Sequence, residues 1–188
     1  MTEEYRMKFI QTPLPGVIVI EPDVIRDDRG FFLEAWHLQK FTSNGIPDNF
    51  VQDNHSQSSK NTLRGLHYQI QHPQGKLVRV LRGSIFDVVV DLRKGSDTFG
   101  KWYGHALSED KMNSLWCPPG FAHGFLVTSE KADVYYKCSD FYAPEHERTL
   151  RWNDETIGIQ WPLTDNVEPC ISEKDRNGIT LKDADVYP

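Results

Sequence analysis

Short β-rich runs recur along most of this chain, and Gly, Pro, Asp and Asn residues separate them. Many short strands at regular spacing favour an all-β sandwich or barrel. The sequence has no alternating strand–helix pattern and no G-x-G-x-x-G motif, which argues against a dinucleotide-binding domain. The predicted strands cover residues 16–21, 30–36, 50–58, 63–70, 76–83, 84–92, 101–107, 114–118, 123–128 and 132–138.

The length of 188 residues fits a single domain that spans residues 1–188, with a barrel at about 16–162. Residues 37–45 fit one short helix that ends at Gly45. The segment 163–188 is polar and charged, with little β pattern. It is either a partly ordered tail or a segment that folds back to cover or flank the barrel.

Charge and composition exclude several classes of protein. A net charge of −6 and a pI of about 5.6 argue against a nucleic-acid binder. No apolar run approaches the roughly 18 residues of a membrane span, and the polar start "MTEEYRMKFI" does not predict a signal peptide. The cysteines Cys117, Cys138 and Cys170 form no C-x-x-C pair, so we expect free thiols and a cytoplasmic location.

Strand alternation places several polar residues on faces that build the interior. If those faces point inward, His67, Lys76 and Tyr136 converge inside the barrel. Strict alternation puts Arg64 on the face opposite His67, and a bulge at Gly65 would bring it round. Taken singly, a strand histidine is commonly structural, a strand lysine commonly faces water and a strand tyrosine commonly packs.

The stretch "CPPGFAHGF" (117–125) carries a P-x-G-x-x-H pattern that ends at His123. It resembles the second motif of the cupin superfamily of small β-barrels, in which that histidine often binds a metal. The upstream motif differs here, because Gln69 stands where a second histidine is usual and no glutamate follows closely. The resemblance therefore implies the barrel without a bound metal.

A longer series of stretches runs in one order over nearly the whole chain: "RDDRGFFLE" (26–34), "FVQDNHSQSSKNTLRGLHYQ" (50–69), "QGKLVRVLRGSIFDVVVDLRKGSDTFGKW" (74–102), "LWCPPGFAHGF" (115–125), "VYYKCSDFY" (134–142), "LRWNDETIGIQWP" (150–162) and "SEKD" (172–175). This series resembles the dTDP-4-dehydrorhamnose 3,5-epimerase family. The resemblance implies an all-β fold, a cupin-type jelly-roll barrel or sandwich with a few short helices.

The resemblance also implies roles for individual residues. His67 is expected to be the general base and Asp175 the carboxylate that orients it, while Lys76 lies beside the substrate carbonyl and Tyr136 is the general acid. For the diphosphate we expect Arg29 and Arg64, and for thymine Phe32, Gln52 and Asn54. The full set of expected substrate contacts is Arg29, Phe32, Glu34, Gln52, Asp53, Asn54, Arg64, His123, Glu147 and Lys174.

The implied reaction is inversion of dTDP-4-dehydro-6-deoxy-D-glucose at C3 and C5, in dTDP-L-rhamnose synthesis, with no cofactor and no metal. The family resemblance further implies a homodimer in which N-terminal strands cross to the neighbour. Three alternatives stay open: an epimerase that inverts only C3 or only C5, a metal-dependent cupin such as a dioxygenase, and a catalytically silent sugar-binding cupin.

Overall fold

The computed structural model describes residues 6–47, 49–164 and 167–188. Its backbone is mostly β-strand, with two short α-helices and one 3-10 turn. The elements are β1 (Met7–Gln11), β2 (Ile18–Pro22), β3 (Val24–Asp27), β4 (Gly30–Leu33), α1 (Leu38–Thr42), β5 (Gln52–Ser59), β6 (Leu63–Gln69), β7 (Lys76–Arg82), β8 (Ser84–Asp91), β9 (Trp102–Ser108), β10 (Ser114–Cys117), β11 (Phe121–Val127), β12 (Lys131–Cys138), a 3-10 turn (Pro144–His146), β13 (Glu147–Thr149) and α2 (Glu173–Arg176).

Two antiparallel sheets form the body of the molecule. One sheet has the strand order β1-β2-β10-β7-β12-β5, and the other has the order β13-β6-β11-β8-β9. A separate hairpin of β3 and β4 forms a third, two-stranded sheet. Consecutive strands alternate between the two large sheets from β5 to β8 and again from β9 to β13, so the predicted all-β jelly-roll class is confirmed.

The inner faces of the two large sheets enclose an apolar core. Val78, Val80 and Val134 come from the six-stranded sheet, and Ile85 and Val89 come from the five-stranded sheet; all five side chains are at most 1% exposed. These residues alternate with outward-facing neighbours along each strand, as the period of a β-strand requires. Tyr136 packs against the edge of this core.

The outer face of the five-stranded sheet is covered by the C-terminal segment. Leu66 and Tyr68 of β6 lie in a second apolar cluster, against which Leu181, Val186 and Tyr187 pack. Isolated β-bridges join Thr62 to Cys170, Leu150 to Ile179 and Arg93 to Tyr187. This path brings the short helix α2 against β6.

The observed elements differ from the predicted ones at several boundaries. The helix covers only Leu38–Thr42, and Gly45 lies in a turn beyond it with φ of +82°. The strand predicted over 30–36 stops at Leu33, because Glu34 turns to pair with Lys40 and Trp36 packs against the buried Phe41. Sequence analysis missed β1, β3 and β13, three short strands of three to five residues. Within the described residues, no helix has the length and apolar character to cross a membrane.

Candidate active site

A bulge in β6 shapes the centre of the candidate site. His123 of β11 pairs with His67, but Phe125 pairs with Arg64, so β6 holds one extra residue between these pairs. Gly65 has φ of +121°, and a Cβ added there would lie 2.6 Å from the Cα of Gly124. Only glycine fits this approach of two backbones. The bulge suggested by the sequence at Gly65 is therefore present.

His67 and Asp175 form a hydrogen-bonded pair. Nε2 of His67 lies 2.5 Å from Oδ1 of Asp175, and the other carboxylate oxygen accepts from the backbone N–H of Gly65 at 3.3 Å. Asp175 is 2% exposed, whereas the His67 side chain is 25% exposed. Burial lowers the pKa of His67 and outweighs the opposing effect of Asp175. Burial alone would raise the pKa of Asp175, but the hydrogen bond from His67 holds it below its usual value.

Lys76 approaches His67 from the opposite sheet, and Tyr136 lies on the same inner face as Lys76. Nζ of Lys76 donates to the backbone carbonyl of His67 at 3.5 Å, and its charge contributes to lowering the pKa of His67. Burial raises the pKa of Tyr136, and the nearby Arg64 guanidinium partly opposes that shift. The structure thus brings an imidazole from one sheet together with an ammonium group from the other, and it places the phenol of Tyr136 on the inner face beside that ammonium group, as strand alternation predicts.

An ion pair closes the rim beside this cluster. Nζ of Lys174 lies 2.9 Å from Oε1 of Glu147, and the hydroxyl of Tyr142 donates to Oε2 of Glu147 at 3.0 Å. Burial would raise the pKa of Glu147, but Lys174, Tyr142 and His67 together hold it below its usual value. Sequence analysis missed Tyr142, which is 51% exposed. Its only signal was the aromatic pair Phe141–Tyr142, which two residues separate from the strand that ends in "YYKC".

The stretch "QDN" in β5 divides between two faces. Nε2 of Gln52 donates to Oδ1 of Asn54 at 3.1 Å, and Nδ2 of Asn54 donates to Sγ of Cys138 at 3.5 Å, on the face shared with Tyr136. Asp53 takes the outer face, where it accepts from the Tyr135 hydroxyl at 2.6 Å and from Nζ of Lys137 at 2.8 Å. The structure does not bring Asp53 into the cluster around His67.

His123 lies inside the sandwich, in register with His67 on the neighbouring strand. It is 6% exposed, and its Nε2 lies 2.8 Å from Oδ1 of Asp87, which is fully buried. Sequence analysis did not single out Asp87, although a lone carboxylate within the apolar run "SIFDVVVD" is a recognisable signal.

Gln69, which replaces the usual second cupin histidine, has a structural role. Its Nε2 donates to the carbonyls of His72 and Phe141 at 2.7 and 3.2 Å, and its Oε1 accepts from the backbone N–H of Ala143 at 2.9 Å. Across residues 6–47, 49–164 and 167–188, no three His, Cys, Asp or Glu side chains form a group that could hold a metal ion.

Three further expected contacts lie on or beside the separate hairpin. The Arg29 guanidinium pairs with Asp27 at 2.5 Å, and Glu34 pairs with Nζ of Lys40 at 2.8 Å. Phe32 is 56% exposed. The structure therefore places Arg29, Phe32 and Glu34 outside the group formed by His67, Lys76, Tyr136 and Asp175.

Comparisons with known proteins show the family of this chain. The family model described as dTDP-4-dehydrorhamnose 3,5-epimerase matches residues 11–183. A protein of that name from Pseudomonas aeruginosa is 54% identical over 97% of this chain and 100% of its own length.

Two solved structures extend the comparison. The dTDP-6-deoxy-D-glucose-3,5-epimerase of Legionella pneumophila, solved with dTDP-4-keto-L-rhamnose, has a TM-score of 0.92 and 46% identity, covering 96% of this chain and 95% of that one. A 3'-monoepimerase of Streptomyces bikiniensis, solved with dTDP-quinovose, has a TM-score of 0.84 and 34% identity, covering 92% and 88%. The chain belongs to the dTDP-4-dehydrorhamnose 3,5-epimerase family.

Proposed function

We propose that this protein inverts dTDP-4-dehydro-6-deoxy-D-glucose at C3 and C5, giving dTDP-4-dehydro-L-rhamnose for dTDP-L-rhamnose synthesis. The family assignment supports this reaction. The observation that carries it is the His67–Asp175 pair, whose histidine faces Lys76 of the opposite sheet, where Tyr136 lies on the same inner face as Lys76. A base and an acid on opposing walls suit a reaction that removes a proton from one side of a ring and returns one to the other.

The proposed base is His67. In the tautomer that donates from Nε2 to Asp175, Nδ1 is free to accept the proton on C3 or C5. The lowered pKa of His67 keeps the imidazole neutral at neutral pH, which a base requires. Asp175 then stabilises the imidazolium that forms.

The electrons left on carbon move onto the C4 oxygen as an enolate. Lys76 is proposed to stabilise this oxygen, since an ammonium group within a half-buried site interacts more strongly than in water. Tyr136 is proposed to return a proton on the opposite face, and its raised pKa keeps the phenol protonated until that step. The C4 carbonyl reforms, and the proposed steps use no metal and no redox cofactor.

The remaining polar groups are proposed to bind the nucleotide and the sugar. Arg64 suits the diphosphate, because a guanidinium binds phosphate oxygens through two hydrogen bonds. On the inner face of β5, Gln52 and Asn54 present amides for the thymine base. His123, Glu147 and Lys174 complete the proposed contacts from this chain.

We also propose a homodimer in which the β3–β4 hairpin reaches the neighbouring site. Ile25 and Phe31 on this hairpin are 44% and 55% exposed, an apolar surface that suits burial against a second copy. Arg29, Phe32 and Glu34 would then serve the partner's site. We further propose that residues 1–188 form one epimerase domain, in the cytosol; the three free cysteines are in keeping with a reducing compartment.

The test is incubation of the purified protein with dTDP-4-dehydro-6-deoxy-D-glucose and a dTDP-4-dehydrorhamnose reductase, followed by NMR of the product. We expect a sugar inverted at both C3 and C5. Inversion at a single carbon would support the monoepimerase alternative. The similarity to the Streptomyces bikiniensis enzyme is the reason to test for it. Recovery of unchanged substrate would contradict both.

A further inference from the structure

The side chain of Ser58 bridges the two large sheets at the edge of the site. Ser58 lies on the inner face of β5, in register with the buried Ala132, and is 8% exposed. Its hydroxyl oxygen accepts a hydrogen bond from Nε of Arg64 at 2.9 Å. Arg64 belongs to β6 of the other sheet, directly before the bulge at Gly65. This contact is therefore set by the approach of the two sheets.

Arg64 carries an unusual combination of surroundings. It is exposed, and within residues 6–47, 49–164 and 167–188 no carboxylate forms an ion pair with it. Its guanidinium nevertheless lies close enough to Tyr136 to affect that phenol electrostatically. Since Nε of Arg64 donates to Ser58, the two terminal nitrogens of the guanidinium remain available for a ligand. Arg64 thus lies near the proposed general acid and forms no ion pair with the described residues. An arginine in such surroundings is well placed to bind an anionic ligand.

We propose that Ser58 is a positioning residue that holds the Arg64 guanidinium ready for the diphosphate of the substrate. An arginine side chain loses considerable rotamer freedom when it is fixed on a ligand, and fixing it beforehand lowers that cost. A neutral hydroxyl suits this task, because a carboxylate at the same place would compete with phosphate for the guanidinium. The inference rests on the proposed function, since it takes a nucleoside diphosphate as the ligand.

The experiment compares dTDP binding by calorimetry, together with kcat and KM, in wild type, Ser58→Ala and Ser58→Thr. Loss of one ordering hydrogen bond is expected to weaken dTDP binding and raise KM by about 3- to 10-fold in Ser58→Ala. We expect kcat and the thermal midpoint to stay unchanged, because Ser58 contacts neither His67 nor Lys76. Ser58→Thr retains the hydroxyl and is expected to restore binding. Ser59→Ala, on the exposed face of the same strand, is the matched control and is expected to bind like wild type.

The same substitution in an Arg64→Lys protein distinguishes positioning of the guanidinium by Ser58 from direct contact of Ser58 with dTDP. Lysine has no Nε donor, so Ser58→Ala is expected to have no additional effect on dTDP binding in an Arg64→Lys protein. An undiminished effect in that background would overturn the inference, as would wild-type affinity in Ser58→Ala alone. Failure of the wild-type protein to bind dTDP would overturn the proposed function itself. Wild-type binding with an unaffected Ser58→Ala variant overturns only the role of Ser58.

Discussion

His67 and Asp175 lie 108 positions apart in the chain, yet their side chains meet at 2.5 Å. The bulge at Gly65 and the C-terminal segment together produce this contact. The segment lies along the outer face of the five-stranded sheet, and helix α2 projects Asp175 toward the bulge, where the N–H of Gly65 also binds it. The backbone N–H of Asp175 in turn donates to the capping Ser172 hydroxyl at 3.1 Å, which fixes the carboxylate on the helix.

Replacing this carboxylate tests its role in orienting the base. Asp175→Asn keeps the size of the side chain but removes its charge and its preference for one imidazole tautomer. We expect kcat to fall on the order of 10²- to 10⁴-fold, measured in the coupled reductase assay. Glu173→Gln changes an exposed carboxylate of the same helix and is expected to keep wild-type kcat. Equal activity in both variants would contradict the role of Asp175.

The pH profile follows from the two shifted groups. The pKa of His67 is lowered from 6.5, so the base stays unprotonated at neutral pH and kcat/KM falls only on the acid side of 6.5. The pKa of Tyr136 is raised from 10.0, so the alkaline decline lies above pH 10. Asp175 acts to raise the pKa of His67; Asp175→Asn is therefore expected to move the acid limb to still lower pH. A shift toward higher pH would be the opposite of this expectation.

Lys76 is predicted to act in the chemical step more than in binding. Lys76→Met removes the charge next to His67 while keeping an unbranched side chain. Loss of one enolate-stabilising group is expected to lower kcat by about 10²- to 10³-fold, with a smaller change in KM, measured by steady-state kinetics. Lys76→Arg restores a positive charge with a different shape and is expected to recover part of the loss. A rise in KM at constant kcat would assign Lys76 to substrate binding instead.

The sequence predicts those features of the site that depend on neighbouring residues. It does not predict those that depend on contacts between residues far apart in the chain. Alternation within single strands was enough to bring Tyr136 and His67 to inner faces. The same alternation shows that Asp53 cannot share a face with its neighbours Gln52 and Asn54, although the expected contacts grouped all three. Asp175 was identified only through the family resemblance, because no local pattern relates a residue in a polar C-terminal segment to a strand more than a hundred positions earlier.

Sequence analysis missed two other features for physical reasons. The strand β13 has three residues, and its pairing with β6 rather than its composition makes it a strand. In the sequence, Asp87 is an unusual carboxylate within an apolar strand. Its hydrogen-bond partner His123 is identified only by the three-dimensional structure. Tertiary contacts decide both cases.

A buried carboxylate outside the site is predicted to support the fold. Asp91 is fully buried, and it accepts hydrogen bonds from Arg93, Ser96 and Thr98 at 2.6–3.0 Å. Burial would raise its pKa, but these bonds lower it to about 2 from the ordinary 3.8. A depressed folded-state pKa stabilises the fold above pH 3.8, and this contribution is lost as the pH falls toward 2.

The lowered pKa of Asp91 corresponds to about 2 kcal/mol of the free energy of unfolding at neutral pH. We expect Asp91→Asn to lower the free energy of unfolding by that order in urea titrations, with the difference from wild type shrinking as the solution is acidified. Asp97→Asn, in the same loop and exposed, is expected to unfold like wild type. A constant difference between Asp91→Asn and wild type at all pH values would assign the loss to packing rather than to charge.

If the base and the acid act from opposite sheets, deuterium incorporation from heavy water into C3 and C5 reports on each group separately. In Tyr136→Phe, His67 still removes protons and returns deuterons to the same face, so NMR should show deuterated substrate without inversion. In His67→Asn, neither exchange nor inversion is expected. Full inversion by Tyr136→Phe, or undiminished exchange by His67→Asn, would contradict these roles of the two residues.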